Sequence, residues 1–253
     1  MAKSRSEFRC TECGWTTVRW VGRCGECQTW GSVVESAGPA AAAAVQSRVP
    51  ATAAVPIGEV PLSAATRNLT RIGELDRVLG GGLVPGAVVL LAGEPGVGKS
   101  TLLLDVAAHW ARADRPTLYV TGEESAAQVR LRAERTGSLT ENLWLAAEDD
   151  LEVILGHIEQ VEPSLMVLDS VQTVRASADG SSWSVSQVRE VTGALVRVAK
   201  RREMAVVIVG HVTKDGAIAG PRLLEHLVDV VLSFEGDRHS GFRMGRATKN
   251  RFG

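Results

Sequence analysis

Two groups of residues in this sequence have the types and spacing to do chemistry. In the first, Gly93-Glu94-Pro95-Gly96-Val97-Gly98-Lys99-Ser100 fits the pattern GxxxxGKS and is followed by Thr101. Glycines so placed let backbone N–H groups wrap phosphates, a lysine at this position reaches the β- and γ-phosphates, and the hydroxyl after it ligates Mg²⁺. The ligands implied are ATP or ADP with Mg²⁺. The mechanism demands a strand before the loop and a helix N-terminus after it, and both patterns are present. Residues 87–92 are an apolar run of strand length, while Leu102, Leu103, Val106 and Trp110 share a face at helical spacing over 99–112. A second apolar run, Leu165-Met166-Val167-Leu168, ends in Asp169, which suits a carboxylate that holds the metal through water; a strand-end cap is the plainer alternative. Hydrolysis also needs a base to polarise water. Thr121-Gly122-Glu123-Glu124 ends another apolar run, 117–121, expected to lie next to the phosphate-loop strand. Either glutamate could act; Glu123 is the preferred base, because Glu124 fits an acidic first turn of the helix that follows.

The second group is Cys10-x2-Cys13 and Cys24-x2-Cys27, which together account for every cysteine in the chain. Each pair supplies two thiolates from one tight turn, and four at tetrahedral corners bind Zn²⁺. A redox pair would sit singly beside a βαβ unit, so zinc is preferred, with iron in a rubredoxin-like site as a lesser option. Gly14 and Gly25 flank the ligands and suit the bends of such knuckles. A module this short cannot bury an adequate core, so the metal should supply most of its folding free energy. Trp15, Trp20 and Trp30 could stack on bases, but packing as bulky fillers is the preferred reading.

These groups need elements to hold them. At 253 residues the chain has room for one large domain and a small module. A hydrophobic fraction of 45% excludes a wholly disordered chain. No apolar run approaches the roughly 20 residues of a membrane span, and the N-terminus lacks a secretory h-region, so the expected location is the cytoplasm, away from membranes. The expected division is a four-cysteine zinc-finger module at 1–35, an Ala/Pro-rich linker at 36–60 carrying Pro39, Pro50 and Pro56, and a nucleotide-binding domain at 61–253. Strand candidates at 87–92, 117–121, 165–169, 205–210 and 228–234 alternate with helix candidates at 99–112, 125–136 and 185–202, which predicts an α/β fold with a mostly parallel central sheet. No helical pattern separates the runs after 228, so the last strands should be antiparallel. The net charge of −1 excludes a uniformly basic coat, yet Arg238, Arg243, Arg246, Lys249 and Arg251 all follow the last acidic residue, Asp237.

With these residues in view, the chain resembles the RadA (Sms) family of bacterial DNA repair proteins. The resemblance rests on the four cysteines, the segment Glu74-Leu75-Asp76-Arg77-Val78-Leu79-Gly80-Gly81-Gly82, the GEPGVGKS loop, the LDSVQT strand end and above all Lys249-Asn250-Arg251-Phe252-Gly253. It covers nearly the whole chain except the linker. It implies a RecA-like P-loop ATPase core in hexameric rings that binds single-stranded or branched DNA and drives branch migration or unwinding of recombination intermediates, with a recombinase as a partner. By similarity to the replicative helicase DnaB, Lys249 and Arg251 would act in trans on a neighbour's γ-phosphate. By comparison with RecA, His211 would relay between ATP and a DNA loop, and Arg175, Lys214 and Arg222 would contact DNA phosphates. That family continues beyond the KNRFG motif into a domain resembling Lon protease, which would contribute to the ring and to DNA contact and is absent from these 253 residues. A different class of function remains beside this one: a nucleotide-switched adaptor that binds DNA or protein without motor activity. A KaiC-like autokinase would share the segment 74–82 but leaves the cysteines and the KNRFG motif unexplained.

Overall fold

The computed structural model of the chain describes residues 7–36, 54–60, 66–176, 185–211, 224–236 and 242–253. Two compact units emerge, Met1–Val60 and Pro61–Gly253.

In the first unit β1 (Glu7–Cys10) pairs antiparallel with both β2 (Thr16–Thr17) and β3 (Val33–Ser36). Two knuckles carry the cysteines. In one, the Gly14 N–H donates to Cys10 O at 3.0 Å; in the other, the Gln28 N–H donates to Cys24 O at 3.1 Å. Gly14 has φ +75°, which a side chain tolerates poorly. A Cβ at Gly25 would come within 2.9 Å of the Trp15 ring, so glycine there lets the indole lie on the second knuckle. The preferred role of the tryptophans as fillers holds only for Trp15, which packs against Cys10, Cys24 and Val33. Trp20 and Trp30 are 64% and 74% exposed, because a three-stranded ribbon has too little interior to take three indoles.

The second unit is a seven-stranded sheet with helices on both faces. In chain order it contains α1 (Gly73–Val78), β4 (Val88–Gly93), α2 (Lys99–Arg112), β5 (Thr117–Thr121), α3 (Ala126–Thr136), β6 (Leu143–Ala147), α4 (Leu151–Val161), β7 (Leu165–Asp169), α5 (Val185–Arg202), β8 (Ala205–His211), β9 (Val230–Gly236) and β10 (Arg243–Asn250). The strand order is β10-β9-β4-β8-β7-β5-β6, parallel throughout except for β10, which runs antiparallel to β9. This is the mostly parallel α/β fold expected, with its antiparallel finish. It also corrects one expectation. The strand 117–121 does not neighbour the phosphate-loop strand; β8 and β7 lie between them, because β4 pairs with β8 and β9.

Alternating residues explain the layers. Val88 and Leu90 face a cluster that includes Ile154, Ile158, Val188, Val191 and Leu195 of α4 and α5, while Val89 and Leu91 face Leu103, Leu104, Val106, Trp110 and Val129 of α2 and α3. Every residue of β4, β5 and β7 is buried, as sheets covered on both faces require. Local signals agree with the tertiary demand. Ser125 caps α3 through a capping box with Gln128, and Gly137 ends it at φ +68°.

Candidate functional site

Four strand ends converge on the carboxyl edge of the sheet, where open α/β folds bind ligands. Gly93 ends β4, Thr121 ends β5, Asp169 ends β7 and His211 ends β8. The loop from Gly93 to Gly98 delivers the chain into α2, whose first N–H groups have no side-chain cap and remain available to an anion. Backbone crowding dictates glycine at its start: a Cβ at Gly93 would lie 2.2 Å from Phe234 O. Gly96 and Gly98 have φ +81° and +100°.

Lys99 is buried and its Nζ donates to Gly93 O and Glu94 O, each at 2.9 Å. Burial lowers its pKa, against the raising pull of Asp169 and Glu123. Buried Asp169 accepts from the Tyr119 hydroxyl at 2.9 Å, and burial together with that carboxylate raises the Tyr119 pKa well above the usual phenol range, so the hydroxyl remains a donor. Tyr119 thereby fixes one Asp169 oxygen. Glu123 Oε1 receives the Ser170 hydroxyl at 2.6 Å and lies 2.9 Å from His211 Nε2. The His211 bond is the main cause of a lowered Glu123 pKa, with Ser170 and Lys99 adding to it against burial. At Gly122 the chain passes close to the turn after β7, since a Cβ there would sit 2.2 Å from Thr173 Oγ1. Gln172 Nε2 donates to His211 O at 3.5 Å, and among the described residues His211 Nδ1 and Gln172 Oε1 have no hydrogen-bond partner. Glu124 turns away to pair with Arg132, as an acid at a helix start would. Lys99, Glu123, Asp169 and His211 are thus gathered at one edge, with Ser100 and Thr101 beside them on the first turn of α2.

The basic C-terminal strip divides in two. Arg243 Nε donates to Val97 O at 2.7 Å, placing a guanidinium on the phosphate loop of its own chain. Lys249 and Arg251 lie near the opposite end of the sheet. Lys249 Nζ donates to Val228 O at 2.8 Å and to Glu225 O, and burial followed by the nearby Arg251 charge lowers its pKa. Arg251 pairs with Asp229 at 3.2 Å. Asp229 is level with Val88, whose N–H it receives at 3.0 Å; five residues separate Val88 from Gly93, or roughly 16 Å at strand rise. Neither cation can serve its own loop in this arrangement. Asn250 Nδ2 donates to Leu79 O at 3.1 Å, and Phe252, like Leu75 and Val78, packs against the core cluster that contains Leu79, which ties this segment to residues 74–82. Arg175 pairs with Asp149 at 2.8 Å, so the contact observed is internal. Lys214 and Arg222 lie outside the described residues, as does Arg238.

Sequence reasoning missed Tyr119, Ser170, Gln172, Asp229 and the loop contact of Arg243. Of these, Ser170 and Gln172 are flagged by their place directly after the Asp169 strand end; the others become visible only through pairing across the sheet.

In the ribbon, the Sγ atoms of Cys10, Cys13, Cys24 and Cys27 all lie within 4.8 Å of one another. The hydrogen bond with Ser32 lowers the Cys10 pKa to about 6; a backbone bond at Trp15 opposes it, but burial and the surrounding sulfurs push Cys13 up to about 12. Four sulfurs so close together can all be ionised only around a cation, and the donor set fits a tetrahedral soft-ligand metal.

Comparison with known families places residues 58–217 in the AAA domain family, and residues 8–35 match the rubredoxin metal binding domain. The chain belongs to the AAA domain family, preceded by a four-cysteine metal ribbon. Among individual proteins, it is 57% identical over its whole length to 54% of DNA repair protein RadA of Mycobacterium tuberculosis, 56% identical to 56% of that of Mycolicibacterium smegmatis, and 47% identical to 57% of that of Bacillus subtilis. It therefore spans about half the length of the curated relatives it matches. No helix among the described residues is long and apolar enough to cross a membrane.

Proposed function

We propose that this chain is the ATPase portion of a DNA-stimulated motor that acts in recombinational DNA repair in the cytoplasm, binding single-stranded or branched DNA and moving or unwinding recombination intermediates. The observation that carries the reading is the placement of Lys99, Asp169 and Glu123 around the loop at the end of β4. Lys99 would exchange the carbonyls of Gly93 and Glu94 for β- and γ-phosphate oxygens. Ser100 and Asp169 would hold Mg²⁺, which supplies charge neutralisation on the phosphates. Glu123, held ionised by His211 and Ser170, would orient water and draw its proton as ATP and water become ADP and phosphate. Because Glu123 shares a hydrogen bond with His211, loss of the γ-phosphate can be felt at the start of the segment after residue 211, where DNA contact by Lys214 and Arg222 is proposed. Arg175 is a proposed phosphate contact that would have to leave Asp149. The cysteines would hold Zn²⁺ and present the ribbon to a partner such as a recombinase.

Lys249 and Arg251 would complete the site of the next subunit in a hexameric ring, a role supported by their distance from the loop of their own chain. The same residues favour the adaptor reading in one respect, because both cations already have partners within their own chain. Steady-state ATP hydrolysis with and without single-stranded DNA separates the two. A motor gives a turnover that rises several-fold with DNA; hydrolysis indifferent to DNA in the assembled protein supports the adaptor and removes the motor.

A further inference from the structure

The two exposed indoles of the ribbon, Trp20 and Trp30, have no task in the chemistry above. The backbone holds them at one place. Arg23 and Trp30 form an antiparallel bridge, the Gly31 N–H donates to Gly22 O at 2.9 Å and the Cys24 N–H to Thr29 O at 3.0 Å, so residues 22–31 make a hairpin that carries two of the four cysteines at its turn. A Cβ at Gly22 would lie 3.6 Å from the Trp20 ring and 3.8 Å from the Trp30 ring. Both rings therefore border the same spot, and the missing side chain leaves it open between them. The Gly22 backbone is not in the left-handed region, so its conformation does not itself require glycine.

The charge around this cleft has one sign. From Cys13 to Gly25 the chain carries Arg19 and Arg23 and no acidic residue. Both arginines are exposed, and neither forms an ion pair among the described residues. Arg23 is held in place, since its Nε donates to Gln28 O at 2.9 Å and its Nη2 to Gln28 Oε1 at 2.7 Å, with the guanidinium 5.8 Å from the centre of the Trp30 ring. That contact orients the indole before any ligand arrives, which lowers the ordering cost of binding. Flat open rings beside unpaired cations match an unpaired base and its phosphates. An apolar protein surface would use the indoles and leave both arginines unmatched.

We infer that the cleft between Trp20 and Trp30 is a stacking site for an unpaired base of single-stranded DNA, with Arg19 and Arg23 meeting the adjoining phosphates. It is a site of the ribbon itself, additional to the contacts proposed for Arg175, Lys214 and Arg222. The choice of DNA over RNA rests on the function proposed above, whereas the stacking site does not depend on ATP hydrolysis. Stacking reads no base edge, so any base is accepted. The hairpin is shaped by its cysteines, so removal of the metal should abolish the site.

The test is equilibrium binding of the zinc-loaded chain, without nucleotide, to oligothymidylate, to oligouridylate and to an abasic strand of the same length. The variants are Trp20→Ala, Trp30→Ala, Trp20→Phe and Gly22→Leu, and unchanged metal content and thermal unfolding will show that each leaves the fold intact. Trp20→Ala and Trp30→Ala should each weaken oligothymidylate roughly 5- to 100-fold while leaving the abasic strand within about twofold. Gly22→Leu keeps both rings but fills the space between them, and should weaken the same strand to a similar degree. Trp20→Phe keeps a flat ring and should retain most of the affinity. Unchanged oligothymidylate affinity in both alanine variants overturns the inference and leaves the indoles to a protein partner. Equal weakening of the abasic strand also overturns it, since bases would then play no part, and tighter binding of oligouridylate removes DNA as the occupant. Failure of the motor reading is distinguishable: base-dependent binding lost in Trp30→Ala, beside wild-type hydrolysis indifferent to DNA, removes the motor and supports the stacking site.

Discussion

The two units of this chain make a site by opposite routes. In the ribbon the buried residues are Cys10, Cys24, Val33 and little else, with Phe8, Trp15 and Val21 partly covered around them. Two of the four ligands belong to the core itself, so binding metal and folding are one event. In the larger unit, β4, β5 and β7 are buried along their whole length between two apolar layers, and the chemistry sits on loops beyond the strand ends. There the two apolar layers set the scaffold, and on the proposed reading a nucleotide would only redirect side chains already in place, with Lys99 exchanging the Gly93 and Glu94 carbonyls for phosphate. The difference shows why the glycines of the two regions have different tasks. Gly14 shapes a knuckle, whereas Gly93, Gly98 and Gly122 clear space for neighbouring atoms of the site.

The largest effect should come from breaking that contrast on the metal side. Chelation of the metal, or Cys10→Ser, should abolish protection of backbone amides throughout residues 7–36 while the unfolding midpoint of the second unit stays unchanged. Hydrogen exchange followed region by region checks this; loss of protection in β4 or β7 would show that the units do not fold independently.

A smaller effect is expected at Asp229, a buried charge inside the second unit. Its carboxylate receives Lys200 at 2.6 Å, Arg251 at 3.2 Å and the Val88 N–H at 3.0 Å. Burial alone would raise its pKa, but Lys200, the Val88 N–H and Arg251 together hold it below the ordinary aspartate value. A carboxylate depressed in the folded state adds stability that is present above its unfolded pKa of about 3.9 and is lost as pH falls through the lower folded value. Asp229→Asn should therefore cost about 1–3 kcal/mol near neutrality and flatten the acid limb of stability. Denaturant unfolding at pH 7 and in mild acid measures both, and an unchanged acid limb would remove Asp229 as its source.

Much of this was legible in the sequence because local pattern and global demand agree there. β5, β7, α2 and α5 fall on the predicted 117–121, 165–169, 99–112 and 185–202, since buried parallel strands read as apolar runs and α2 and α5 carry an unbroken apolar stripe. β6 escaped because it is the sheet edge, with Trp144 and Leu145 exposed and no alternation to read. β10 escaped for a like reason, being almost wholly exposed and basic, so that pairing with β9 alone makes it a strand. α4 is punctuated by Gly156 and by β-branched residues, which mask its Leu151, Ile154 and Ile158 stripe. At the site, motif spacing found Lys99, Asp169 and Glu123, but it could not find Arg243 at the loop, because that contact joins residues 146 positions apart. The misplaced neighbour of β4 has the same origin: strand order is set by crossovers that no local pattern encodes.

The proposed function turns on whether an ATP site is shared between subunits. The direct measurement is the ATPase rate of Lys99→Ala and Arg251→Ala proteins, alone and mixed after dissociation and reassembly. Each alone should be nearly inactive. Random pairing in an equal mixture would join an intact loop to an intact Arg251 at about a quarter of the interfaces, so a corresponding part of the wild-type rate should return. No recovery on mixing, or Arg251→Ala hydrolysing ATP at the wild-type rate by itself, would contradict the shared site.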